Sequence, residues 1–196
     1  VLAGEQVLAA HREVMPRGHA EALAPMVDEV MRAAGLAFAD LDKLAVTTGP
    51  GSFTGQRVGL AFMRGLRVAL TKPLVGITSL SAMAEQARAE SDRAIGAAVH
   101  DAKRDEVYLE MVGHSVPAQI LTVAEAARLL APFSHLALAG TAAPLFAQHC
   151  PNAIITAITA PDAVWVGKLA LAVIADGTPR PLYLRPPDAK LPAAKP

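Results

Sequence analysis

The sequence predicts an α/β protein of 196 residues, long enough for one large domain or two small lobes. Two observations carry that class. Short apolar runs alternate with segments of helical period over the first ninety or so residues, the signature of an α/β unit. From about Ala94 the order changes to two strands around a charged turn, followed by helix, strand and helix. The boundary between the patterns falls at Ser91–Arg93, which gives an N-terminal lobe over residues 1–91 and a second, smaller lobe over 92–196.

The chain opens in mid-strand. "VLAGEQVLAAHREV" reads as a strand end, a turn at Gly4-Glu5 and a second strand, which together make a hairpin. Pro16, Arg17 and Gly18 break the pattern, and a helix is expected from about His19 to Ala34, closed by Gly35. Pro25 lies inside it and is expected to kink it. "LDKLAVTTG" is a buried strand, and after the loop at Pro50–Phe53 a second helix runs to about Thr71. A strand at Leu74–Ile77 and a helix capped by Thr78 or Ser79 complete the first pattern. In the second, "AIGAAVHDAKRDEVYLEMVG" is a strand pair turning at Lys103-Arg104-Asp105. "TVAEAARLLAPF" is a short helix, "HLALAG" a strand, "AAPLFAQHC" a helix and "PDAVWVGKLALAVIADG" the last helix, with a Pro-rich tail behind it.

Composition narrows the partners. Eighteen basic and eighteen acidic side chains leave no formal net charge, so no global field recruits nucleic acid or membrane. The chain is 53% apolar but only 4% aromatic, so its core is expected from aliphatic layers. The single Cys150 forms no intrachain disulfide and fits a reducing, cytoplasmic home. No unbroken apolar run reaches membrane-spanning length, and no signal peptide is visible.

The segment "VTTGPGSFTGQRVGLAFMRGLRVAL" raises a choice between a phosphate cradle and a packing device. A strand, a glycine loop and a helix N-terminus together form a ready anion site. The spacing departs from the phosphate-loop pattern, because Gly55 is followed by Gln56 and Arg57 rather than Lys and Ser or Thr. It misses the dinucleotide fingerprint by one position. The packing reading draws on the helix that follows, where Gly55, Gly59, Phe62, Met63, Leu66 and Leu70 share one stripe. Gly55 and Gly59, one turn apart, clear a face for close approach of another backbone. In the first helix Ala22, Leu23, Met26, Val27, Val30 and Met31 spread over an arc of roughly 200°, against about 100° for a surface helix. Both helices carry more apolar surface than one sheet covers. Either a third helix covers it within the chain, or the two helices form a protein–protein interface.

Catalytic patterns are missing. The six histidines include no H-x-x-x-H pair, and G-x-S-x-G does not occur. Ser52 and Thr54 read as turn and N-cap residues, and Cys150 as a small buried side chain. "HDAKRDEVY" reads as a solvated hairpin tip, with Asp101 and Arg104 as candidates for meeting a ligand or partner across a cleft between the lobes. Arg180, Arg185, Lys190 and Lys195 in the tail are candidates for RNA phosphates, against the plainer reading of a solvated tail.

The blocks "TTGPGSFTGQRVGLAFMRGLRVAL", "PLVGITSLSAMA", "HDAKRDEVY" and "PLYLR" together closely resemble the bacterial TsaB (YeaZ) family, over nearly the whole chain. The resemblance implies a two-lobed fold like that of actin, Hsp70 and sugar kinases, with mixed sheets and flanking helices in each lobe. It implies a non-catalytic dimerisation subunit in the formation of N6-threonylcarbamoyladenosine at position 37 of tRNAs reading codons that begin with A. The partners implied are the catalytic paralogue TsaD, the ATPase TsaE and, through the complex, tRNA, with a homodimer in isolation. Metal and ATP would belong to those partners, leaving this chain no cofactor beyond weak nucleotide affinity. The family's dimer surface maps onto the two over-apolar helices, and so onto Leu23, Met26, Val27, Val30, Gly55, Gly59, Phe62, Met63 and Leu66. The family's opening strand has no counterpart here, and Gln56 stands where the family usually has an apolar residue. The rival reading is a nucleotide-binding phosphotransferase or glycoprotease-like peptidase that uses the inter-lobe cleft.

Overall fold

The computed structural model describes residues 1–15 and 18–185. The chain begins with a small antiparallel hairpin, β1 (Leu2–Ala3) and β2 (Gln6–Val7), turning at Gly4-Glu5 as expected. Helix α1 spans His19–Ala34, runs through Pro25 and ends at Gly35, whose left-handed backbone donates to the carbonyls of Arg32 and Met31. Strand β3 (Leu44–Thr47) leads through the glycine loop into α2 (Phe53–Leu70), capped by the Ser52 hydroxyl. Strand β4 (Leu74–Ile77) lies parallel to β3, and α3 (Ser79–Glu90) follows it with Thr78 as N-cap.

The remaining strands form one mixed sheet in the order β7-β6-β5-β8-β9. Its members are β5 (Ile95–Lys103), β6 (Glu106–Val112), β7 (Val116–Thr122), β8 (Leu136–Ala139) and β9 (Ile154–Ile155). Helix α4 (Val123–Leu130) returns the chain from β7 to β8, and α5 (Ala163–Ala172) packs on β3 and β4.

Helix α3 joins the β3–β4 pair to the five-stranded sheet. Leu80, Met83, Ala84 and Ala87 pack against Ala98, Ala137 and Ala139 of the five-stranded sheet. Ala82, on the other flank, packs with Val75 and Ile77 of β4 and with Val166 and Ala170 of α5. Small residues on both sides permit this: a Cβ added at Gly96 would stand 2.0 Å from the Ala84 carbonyl oxygen.

Four local expectations need correction. The "AAPLFAQHC" helix is only a 3-10 turn over Ala143–Phe146, which drives Phe146 into the core beneath β8. The last helix stops at Ala172, because Lys43 reaches across from the start of β3 and donates to the carbonyls of Ala170, Leu171 and Val173. A cation on those carbonyls opposes the helix C-terminal dipole and replaces a further turn. Two strands, β7 and β9, had no sequence signal. Pro117 weakens the strand pattern of β7, and it is tolerated because β7 is an edge. The tail reads as solvated, yet residues 179–185 are tied to the body by hydrogen bonds from Arg64, Leu182 and Arg185. Lys190 and Lys195 lie outside the described residues.

Candidate interface and glycine elbow

The two early helices are poorly covered by the rest of the chain. Met31 is the only buried residue of α1, and Leu60 the only one of α2. The principal neighbour of α1 is α2. One side of α2 closes over β3 and β4, where Leu60 packs with Leu44, Val46 and Leu74, and Met63 and Leu66 lie along the rim. Leu23, Met26, Val27, Val30, Gly55, Gly59, Phe62, Met63 and Leu66 are all only partly buried. Val68, on the outer flank of α2, is 76% exposed. No third helix covers this surface among the described residues.

The glycines divide in role. A Cβ at Gly55 would stand 2.7 Å from the Ser52 hydroxyl oxygen, which accepts the Gly55 N–H at 3.1 Å; this glycine serves the helix cap. A Cβ at Gly59 meets nothing within 4 Å, so no backbone of this chain uses its clearance.

The elbow itself is filled. Gly49 takes φ 103°, and a Cβ there would lie 2.2 Å from the Gln56 amide nitrogen. That amide bends back to donate to the Gly51 carbonyl at 3.2 Å. The Gly49 carbonyl accepts from the Ser79 N–H at 2.8 Å, which fastens the loop to the start of α3. An anion would have to displace Gln56 and compete with Ser52 for the helix N–H groups. A groove of about 650 Å³ does open beside the loop, between the N-terminal ends of α1 and α2, lined by His19, Glu21, Ser52, Thr54, Gly55 and Val58.

Asp101 and Arg104 sit at the exposed tip of the β5–β6 hairpin. The Asp101 carboxylate accepts from the Lys103 ammonium at 2.6 Å and the Lys103 N–H at 2.8 Å. Those bonds hold its pKa below the usual carboxylate value. Lys103, Arg104 and Asp105 all have left-handed backbones, with φ of 64°, 60° and 59°. Each costs about 1–2 kcal/mol for a residue with a side chain, so the turn must be held from outside. Arg185 does this, donating to the Ala102 carbonyl at 2.7 Å and the Lys103 carbonyl at 3.4 Å while pairing with Glu106.

Sequence reasoning missed that tie, together with two others. Glu110 accepts hydrogen bonds from the Thr78 and Ser81 hydroxyls at the start of α3, joining that helix to β6. Tyr183 stacks on Phe53 and accepts from Arg57. The block "PLYLR" was the available signal, but a Pro-rich segment carries no periodicity that shows where it docks. Cys150 is buried, and burial pushes its thiol pKa up, away from a reactive thiolate. Among the described residues no three His, Cys, Asp or Glu side chains converge as a metal site would require.

The architecture and these blocks have known counterparts. A family model described as "TsaD: tRNA N6-adenosine threonylcarbamoyltransferase" matches residues 7–151. The tRNA threonylcarbamoyladenosine biosynthesis protein TsaB of Escherichia coli K12 is 36% identical over 99 residues, which is 50% of this chain and 43% of that protein. YeaZ from Pseudomonas aeruginosa superposes with a TM-score of 0.71 at 27% identity, over 89% of this chain and 88% of that one. The chain belongs to the TsaB (YeaZ) family. An uncharacterized protein of Mycobacterium tuberculosis is 35% identical across 97% of this chain and 83% of its own length. The fold is of the TsaD type, in the class of actin, Hsp70 and sugar kinases, with the mixed sheets and flanking helices expected of a TsaB protein. The aligned region is less than half of the Escherichia coli TsaB protein. Among the described residues no helix is long and apolar enough to cross a membrane.

Proposed function

We propose that this chain is a non-catalytic subunit in the formation of threonylcarbamoyladenosine in tRNA, acting by docking α1 and α2 onto the corresponding helices of a catalytic TsaD paralogue. One observation carries the reading: two helices of sixteen and eighteen residues, both broadly apolar, each bury a single residue within the chain. Apolar helix faces left open in this way mark association surfaces. Docking another helix pair would bury the partly exposed Leu23, Met26, Val27, Val30, Phe62 and Leu66. Gly59 would admit the partner backbone, since its position faces open space. Pairing then fixes the partner's active lobe, and a TsaE-type ATPase and tRNA join the assembled pair. In isolation the same surface supports a homodimer. The chain itself contributes no metal or nucleotide chemistry.

The test is reconstitution of tRNA modification with and without this chain, alongside size-exclusion chromatography of Gly59→Leu with the paralogue. The variant is expected to remain folded and to elute apart from it. Intact complex formation by Gly59→Leu would refute the interface assignment. Turnover of ATP in the presence of magnesium by the isolated chain would refute the scaffold reading.

A further inference from the structure

Helix α2 presents a second face that docking leaves unused. It contains Arg57, Arg64 and Arg67 and no acidic residue, in a chain whose formal charge is zero. These three fall on one stripe with Phe53 and the buried Leu60, and the open part of that stripe is its N-terminal end at Phe53 and Arg57. Against that stripe lies the segment 179–185, which adds Arg180 and Arg185 and no acid. Arg64 donates to the Pro179 carbonyl at 2.5 Å, and the Leu182 N–H donates to the Thr48 carbonyl at 2.8 Å. Asp176 lies beside Pro179 at one end; at the other Arg185 pairs with Glu106, and of the neighbouring hairpin-tip acids Asp101 is paired with Lys103 and Asp105 is exposed.

At the centre stand two aromatic rings that the core does not use. Phe53 is 59% exposed and Tyr183 53% exposed. Their centroids are 6.3 Å apart at an interplanar angle of 30°. The Arg57 guanidinium lies 3.5 Å over the Phe53 ring centroid and donates to the Tyr183 hydroxyl at 3.3 Å. This stack is preorganised on both sides, by a helix and by a tied segment, yet remains in water. Exposed rings and guanidinium planes held within a cationic strip are the elements with which proteins bind unpaired nucleotides: the planes take bases and the flanking cations take phosphates.

We propose that Phe53, Arg57 and Tyr183 form a stacking platform for unpaired nucleotides of an RNA loop, with Arg180 supplying backbone contact. Only the choice of RNA as the nucleic acid rests on the function proposed above; the platform lies on a different stripe of α2 from Gly59. Because each base presents a π-face, the platform reads strandedness and not sequence.

The test is fluorescence anisotropy of the full chain with a labelled RNA stem-loop and with a fully paired RNA of equal length, over a salt series. The stem-loop is expected to bind more tightly than the paired RNA and to weaken with rising salt. Tyr183→Leu should weaken stem-loop binding about tenfold. Arg180→Glu, at an exposed position where folding is not at stake, should weaken it and flatten the salt slope. Gly59→Leu should bind RNA as the parent does, so failure of the docking surface and failure of the platform are separable. Absence of stem-loop binding, or equal binding by the parent, Tyr183→Leu and Arg180→Glu, would overturn the proposal. So would loss of association with the TsaD paralogue in Tyr183→Leu or Arg180→Glu without loss of RNA binding, which would assign the patch to a protein contact.

Discussion

Arg185 closes on Glu106 at the base of a hairpin tip whose three central residues are all left-handed, and the same guanidinium takes the Ala102 and Lys103 carbonyls. One planar fork thus satisfies a carboxylate and two carbonyls that point out of a strained turn. The side chain is 21% exposed and its partner 35%, so the bonds form in partial shelter from water.

Arg185→Ala is therefore expected to destabilise the chain by about 1.5–3 kcal/mol, the range for hydrogen bonds to charged groups. Lysine should restore only part of this, since it has no fork. Urea unfolding gives the stability, and amide exchange at residues 103–105 should accelerate in the alanine variant. Unchanged exchange would show that the turn holds itself.

Gly59 and Gly96 should respond to alanine in opposite directions. At Gly59 the new methyl meets open space, and the helix gains about 0.5–1 kcal/mol in the isolated chain. At Gly96 the methyl would press on the Ala84 carbonyl at 2.0 Å, and either α3 or β5 must move. Overpacking of that kind costs typically about 1–3 kcal/mol. Thermal melts of the two variants read the contrast directly. Gly59→Ala should also weaken association with the paralogue, a cost visible only in the complex.

Lys43→Met is expected to loosen the end of α5 and little else. The variant keeps most of the stem and loses a cation shared by three carbonyls. Amide exchange should rise at residues 170–174 while β5 and β6 stay protected. Protection unchanged at that end would mean the helix stops for another reason.

His100 sets a pH dependence. Burial lowers its pKa below the ordinary 6.5, against a smaller raising influence from Asp101 and alongside a lowering one from Lys103. The unfolded chain therefore takes up a proton that the folded chain resists. Stability contributed by the neutral ring is complete above pH 6.5 and is lost as pH falls from there toward the lower folded value. Denaturant midpoints of the parent should fall between pH 7 and 5 more steeply than those of His100→Leu. Parallel slopes would remove His100 as the source.

Much of this was legible locally. His19–Ala34 follows from its apolar period and Gly35, Leu74–Ile77 from its apolar run, and the Ser52 and Thr78 caps from short hydroxyl side chains before apolar periodicity. The excess apolar arcs of α1 and α2 were legible for the same reason, since helical spacing alone places residues on a face. Where sequence reasoning fell short, the cause was long-range contact. The end of α5 is decided by Lys43, more than a hundred residues away, and no local signal encodes that reach. The strand at Val116–Thr122 forms because β6 offers an edge for it, although Pro117 argues against it locally.

The glycine elbow shows the division most plainly. The sequence by itself determined that Gly49–Gly55 departs from the phosphate-loop pattern, because the lysine of that pattern is replaced by Gln56. It also determined that α2 is apolar beyond the needs of one sheet. Only the tertiary structure decided what occupies the loop and what lies over the helix. Gln56 folds back into the space beside Gly49, the segment at 179–185 is tied to the arginine stripe through Arg64, and Gly59 faces open space. Periodicity assigns residues to faces, but which face is covered depends on where distant segments of the chain come to rest.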